Sequence, residues 1–181
     1  MNSSQLMALM PVLILSLSAF VLMIQASIKR DPSLALIITA LGFLASLGAV
    51  GYAGDYTQSV TVLMVVDHWG LFFTALILLA SLVTLWLSSD KFILEAERKE
   101  EFYLLLVLSV LGAVVLIQSS HMLGLLLGME LMGVALYAMI AFPERGLLPL
   151  EAAIKYLVPS ACASAMLLFG FALVYAATGD L

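Results

Sequence analysis

Six runs of apolar residues, each close to the length of a membrane-crossing helix, limit what this chain can become. They lie at roughly 5–28, 33–53, 70–89, 102–118, 121–142 and 149–177. A hydrocarbon core of about 30 Å takes about 20 helical residues to cross, and the fourth run is the shortest of the six. Lipid offers the backbone no hydrogen bonds, so a spanning segment is either helical or part of a closed barrel. Barrel strands alternate apolar and polar residues, and these runs do not. The composition agrees: 64% of the 181 residues are hydrophobic and 10% are charged, against about 45–50% and about 25% in soluble domains. The sequence therefore predicts an all-α bundle of six spans forming a single membrane domain over 1–181.

The connections carry the remaining polar residues. "KRDP" (Lys29 to Pro32) ends the first span and "GYAGDY" (Gly51 to Tyr56) the second. "SSDKFILEAERKEE" (Ser88 to Glu101) is the most charged stretch, and part of it has the pattern of a short amphipathic helix. "QSSH" (Gln118 to His121) is a tight link, and "PERGLLP" (Pro143 to Pro149) separates the last two spans. In the second connection, "SVTVLMVVD" (Ser59 to Asp67) reads as a short strand, an apolar dip into the interface, or an ordered lead-in to the third span. Lys29 and Arg30 fall in the first connection, Lys91, Arg98 and Lys99 in the third, and Arg145 in the fifth; the second and fourth have no Lys or Arg. Basic connections stay on the cytoplasmic side, which predicts connections one, three and five inside and both termini outside. The N-terminus "MNSSQLMALM" lacks a basic leader region, so the first span is read as retained rather than cleaved.

Two ionisable residues lie within spans and away from their ends. Glu130 interrupts "GLLLGMELMGVALYAMI" nine residues after His121, roughly 14 Å from that end of its helix. An acid at such depth is costly, faces protein or a wet cavity, and usually marks an ion path. Desolvation opposes its charged form, so a carboxyl there can act as a reversible proton carrier. Lys155 lies about 9 Å into the sixth span, where it can either bias Glu130 across the last two spans or snorkel outward. Glu151, four residues earlier, is a local partner for it. His121 is read as an interfacial polar residue or a proton exit, since imidazole titrates near neutral pH. Glu151, His121 and Tyr137 are taken as supporting residues.

Small residues indicate which faces can approach. Gly124 and Gly128 form one such face on the fifth span, "SACASA" (Ser160 to Ala165) a thin side on the sixth, and Pro159 removes a backbone donor there. Trp69, Trp86, Tyr103 and Tyr156 are expected to anchor the interfaces. Cys162 is the single cysteine, so there is no internal disulfide. His68 and His121 are too distant to form a local metal pair. No basic stripe points to nucleic acid, and no nucleotide loop, haem pattern, iron–sulfur pattern or nucleophile triad is present.

"EEFYLLLVLSVLGAVVLIQSSHMLGLLLGMELMGVALYAMIAF", followed by "LEAAIKYLVPSACASAMLLFGFALVYAATGDL", resembles the antiporter-like membrane subunits of respiratory complex I, subunit N (the mitochondrial subunit 2 type) above all. "LMALMPVLILSLSAFVLMI" and "VVDHWGLFFTALILLASL" fit the same subunit, so the resemblance covers the whole chain. It implies a part in proton pumping driven by electron transfer from NADH to quinone, with the family's helix-five glutamate at Glu130 and its helix-six lysine at Lys155. It also implies a helix-seven lysine as partner of the glutamate, and further lysines beyond. The family's Ser and Pro after the glutamate are replaced by Gly133 and Ala135, which bears on the local helix distortion rather than on the charge.

Family members have roughly fourteen helices, so six spans are expected to be the N-terminal portion of a longer chain. The implied enzyme is an NADH:quinone oxidoreductase in which this chain is a non-redox subunit. It would hold no cofactor or metal itself, with NADH, FMN, iron–sulfur clusters and quinone in other subunits. Its partners would be neighbouring antiporter-like subunits, lipid and protons, and its site the bacterial inner membrane. The alternatives are the equivalent subunit of a cation/proton antiporter or membrane hydrogenase, or a structural and assembly segment without transport of its own.

Overall fold

The structure is a computed structural model, described here for residues 3–28, 30–89, 99–142 and 147–179. Seven helices follow one another: α1 (Ser3–Ala8), α2 (Met10–Ile28), α3 (Pro32–Ala53), α4 (His68–Ser89), α5 (Lys99–Ile117), α6 (Met122–Ala141) and α7 (Leu148–Thr178). The six from α2 to α7 are long and apolar enough to cross a membrane. The first apolar run is thus two helices rather than one. Pro11 explains the break, because its ring disfavours helical backbone just before it and it has no N–H to give the preceding turn. The caps follow ordinary chemistry. Asp31 accepts from Ser33 N at 3.1 Å with Pro32 beside it, a favoured helix start. Gly179, at φ 74°, closes α7 in the left-handed conformation.

The connections sort to two ends. At one end the segment after α3 forms a small antiparallel pair, β1 (Gln58–Ser59) and β2 (Val65–Val66), in the register Gln58↔Val66. The strand reading of "SVTVLMVVD" therefore holds, for its two ends only. The same segment is tied to the α5–α6 link by Val65 N to Gln118 O at 2.9 Å and Ser120 N to Leu63 O at 3.0 Å. Gln5 of α1 reaches Val60 O. Ala8, Leu9, Ala53, Val60, Val66 and Leu71 pack beneath this cap. The sequence has no Lys or Arg in any of these pieces, so this is the cation-free end. Of the six residues that carry the basic-connection argument, Lys29, Lys91, Arg98 and Arg145 lie outside the described residues, as does most of the proposed amphipathic stretch.

Between the ends, α2, α3 and α5 supply most of the core, with Leu15, Leu22, Phe43, Val107 and Val114 fully or nearly fully buried. Close contacts depend on glycine where backbones meet. A Cβ on Gly42 would sit 2.7 Å from the Ser18 Cβ. Gly112 and Gly128 face each other across α5 and α6: a Cβ on Gly112 would lie 2.5 Å from Met132 N, and one on Gly128 2.6 Å from Leu116 N. The Gly124/Gly128 face therefore packs on α5 and the second connection, and not on α7. Tyr103 also departs from expectation. It is 4% exposed and belongs to the core instead of anchoring an interface, whereas Trp69 and Trp86 are each 74% exposed.

Because the atoms that would meet a Cβ at Gly128 are backbone, α5 and α6 would have to separate. Gly128→Val is expected to cost about 3 kcal/mol or more, beyond the usual overpacking range, seen as a lower unfolding midpoint and reduced assembly. Gly48→Ala, with nothing within 4 Å of its added Cβ, should be neutral or gain up to about 1 kcal/mol.

Candidate functional site

Glu130 is the ninth of the 20 residues of α6, in the middle of a helix that is otherwise apolar or small apart from Tyr137. It is partly buried. Among the described residues it makes no hydrogen bond or ion pair. Its direction follows from the glycine contact. Two residues on a helix are about 200° apart, so pinning Gly128 against α5 turns Glu130 to the opposite side of α6. That side faces α7. Tyr137, two turns after Glu130 and on the same face, places its Oη 2.6 Å from Ser160 Oγ of α7. Its ring lies 5.4 Å from that of Tyr156.

Gly133 makes room for this contact, since a Cβ there would meet the Tyr137 Oη at 2.9 Å. The phenol therefore folds back one turn toward Glu130, in the direction helical side chains favour. On α7 the less exposed positions recur at Ala153, Ser160, Ser164, Leu167 and Phe171, spacings of three, four and seven that mark one helix face. Counting in opposite directions from Tyr137 and Ser160 sets Gly133 level with Ser164 and Glu130 level with Leu167. The seam between α6 and α7 thus carries Glu130, the Tyr137–Ser160 pair and the Ser164 position.

Lys155 is not on that seam. It pairs with Glu151 on the outer side of α7, where the two side chains are 74% and 54% exposed. By the same register Lys155 lies level with Phe142, about 18 Å along the helix axes from Glu130. The structure therefore puts Tyr137 on the same face of α6 as Glu130 and keeps Lys155 with Glu151 apart from it. His121 has a structural job the sequence did not indicate: it is the N-cap of α6, its Nδ1 accepting from Leu123 N at 3.2 Å. Among the described residues no group of three or more His, Cys, Asp or Glu is placed to hold a metal ion.

Glu100 was missed. Within "ERKEEF" it reads as one more solvated charge, yet it is 3% exposed and its Oε2 is buried without a hydrogen-bond partner. The available signal was the phase of α5, because Glu100, Tyr103, Val107, Val110, Val114 and Gln118 are all buried and fall on one face. Gln118, at the other end of that face, also has a buried oxygen without a partner, while its Nε2 donates to Thr74 Oγ1 at 3.3 Å.

An intramembrane acid without a partner costs stability. Glu130→Leu is expected to raise the resistance of the purified assembly to denaturant by about 1–3 kcal/mol. A fall in stability instead would mean that the carboxylate has a partner whose loss outweighs that cost.

Residues 119–181 match the family described as NADH:quinone oxidoreductase/Mrp antiporter, TM. A chain of respiratory complex I from Thermus thermophilus, determined with bound aureothin, is similar over 95% of this chain and 38% of its own, at 31% identity and a TM-score of 0.82. A chain of the membrane-bound sulfane sulfur reductase, an archaeal respiratory membrane complex, is similar over 98% of this chain and 38% of its own, at 25% identity and a TM-score of 0.78. This chain thus spans 38% of the length of each. The matched region holds the whole of α6 and α7, with Glu130 and its seam, and the structural likeness extends to the other helices: the chain has the fold of an antiporter-like membrane subunit, and its last two helices lie in the segment that matches the NADH:quinone oxidoreductase/Mrp antiporter family.

Proposed function

We propose that this chain is the N-terminal portion of a proton-translocating subunit of a complex I-type NADH:quinone oxidoreductase, of the subunit N type, in which Glu130 takes up and releases the translocated proton. The observation that supports this most is the partly buried carboxylate at the middle of an otherwise apolar helix. In this reading, redox chemistry elsewhere in the complex changes the electrostatic field at Glu130 and so its hold on a proton. Water on either side of the helix then receives or supplies that proton. The chain itself carries out no redox step, and NADH, FMN, iron–sulfur clusters and quinone belong to other subunits.

The likeness to the archaeal sulfane sulfur reductase chain, which spans 98% of this chain, supports a second reading. There the same seam serves a related respiratory complex or a multisubunit cation/proton antiporter. The subunits that co-purify separate the two, since a flavin and iron–sulfur arm accompanies the first and is not required by an antiporter. The proposed location is a bacterial inner membrane with the cation-free end outside.

Sidedness is read directly with a membrane-impermeant maleimide in a Cys162→Ala background. Val62→Cys, 82% exposed at the cation-free end, should label in intact spheroplasts, and Ser33→Cys only in inverted vesicles. The reverse pattern overturns the orientation. For function, Glu130→Gln in the complete complex should lower proton translocation per NADH oxidised by about tenfold or more, on the scale of losing a positioned proton carrier. Unchanged stoichiometry in normally assembled complex overturns the role of Glu130.

A further inference from the structure

We infer that the Tyr137–Ser160 hydroxyl pair is a proton relay serving Glu130 from the end of the bundle where α6 finishes and α7 begins. The inference rests on the proposed role of Glu130 and adds the residues through which protons reach it. The geometry has three parts. Tyr137 Oη and Ser160 Oγ are 2.6 Å apart, and either atom is able to donate. The phenol is folded back over Gly133, so its hydroxyl lies about one turn from Glu130, the 5–6 Å that separate side chains three residues apart on a helix. One or two waters bridge such a gap. Glu130 and the pair share the face of α6 that turns away from the Gly128 contact with α5.

The step balances at each oxygen. A water at that end of the bundle gives a proton to Ser160 Oγ as Ser160 gives its own to Tyr137 Oη. Tyr137 passes its hydroxyl proton through bridging water to the Glu130 carboxylate. Each O–H bond that breaks is matched by one that forms, both hydroxyls end as neutral as they began, and the proton lost by the first water is replaced from solvent at that end. Afterwards both hydroxyls must turn before the next proton moves. Because either hydroxyl is able to donate, the same chain conducts in both directions, as a reversible pump requires. Lys155, on the outer side of α7 and paired with Glu151, takes no part.

A simple clamp between α6 and α7 would use the same hydrogen bond, so the test separates transport from assembly. In the full-length complex reconstituted into vesicles, Tyr137→Phe keeps the ring against Tyr156 and removes only the hydroxyl, and Ser160→Ala removes its partner. Each should slow proton-coupled turnover per assembled complex by about fivefold or more, below the full effect of losing a proton-transfer group because water partly substitutes. Ser160→Thr, which retains a hydroxyl, should restore most of the rate. The double variant should be no slower than the slower single one, since both act in one chain. Ser160→Ala carries the test should Tyr137→Phe fail to assemble. Glu130→Gln is measured alongside. If it abolishes translocation while Tyr137→Phe and Ser160→Ala translocate as wild type, the relay is overturned and the role of Glu130 stands. If those two variants lower only the amount of assembled complex, the pair is a clamp and the relay is overturned. If Glu130→Gln itself translocates normally, both proposals fall together.

Discussion

The site depends on one backbone contact. Where α5 meets α6, Gly112 and Gly128 leave no space for a Cβ on either side, so the helices cannot rotate without separating. That contact fixes the azimuth of α6, and the rest of the helix follows at 100° per residue. Met132 and Ala135 continue along the α5 side, whereas Glu130, Gly133 and Tyr137 turn toward α7. A methyl group at Gly128 would therefore disturb more than packing, because it would re-aim the one acid in the helix. Close approach of this kind is what van der Waals contact between membrane helices requires, since lipid gives no hydrophobic force to hold them together.

The number and approximate ends of the spans were legible in the sequence because lipid leaves the backbone so few choices. The azimuths were not, and the reason is physical. In water an amphipathic helix declares its buried face by polarity, but in lipid both faces are apolar and the periodic signal disappears. Gly124 and Gly128 correctly marked a close contact without naming the partner, which is α5. The serine and glycine positions that face each other between α6 and α7 are intelligible only once Tyr137 and Ser160 give the register. Lys155 shows the same limit. Its place in the sequence is compatible with a role beside Glu130, but the phase of α7 turns it outward, where Glu151 meets it. His121 was legible as a polar residue at a helix start, and its capping bond to Leu123 N needed the backbone geometry.

The buried face of α5 shows how the ends of the bundle are finished. It begins at Glu100 and finishes at Gln118, each with a buried oxygen lacking a partner. Between them lie Tyr103, Val107, Val110 and Val114. At the Gln118 end, the backbone bonds to Val65 and from Ser120 to Leu63 fasten the small strand pair over the bundle. The backbone groups gathered there satisfy one another at the level where the chain leaves helix, which is the requirement lipid imposes. Most of the hydroxyls deeper in the core return to their own helix: Thr39 bonds Ala35 O, Thr74 bonds Gly70 O and Ser81 bonds Ile77 O. Thr39 and Ser81 are absorbed in that way, whereas Thr74 Oγ1 also accepts from Gln118 Nε2 at 3.3 Å.

Tyr137 and Ser160 differ from those hydroxyls because each has the other, across two helices, as its partner. That difference matters for a proton. A hydroxyl donating to a carbonyl of its own helix ends there, since the amide oxygen passes nothing on. Two hydroxyls in contact give an oxygen that accepts while it donates, and the direction reverses by rotation about a single C–O bond. The seam therefore supplies hydrogen bonding without fixed charge, through two hydroxyls, one from each helix. Neutral groups of this kind steady a proton in passage without trapping it. On α7, Lys155 pairs with Glu151 about 18 Å along the helix axes from Glu130, whereas Ser160 meets Tyr137 on the face that Glu130 shares.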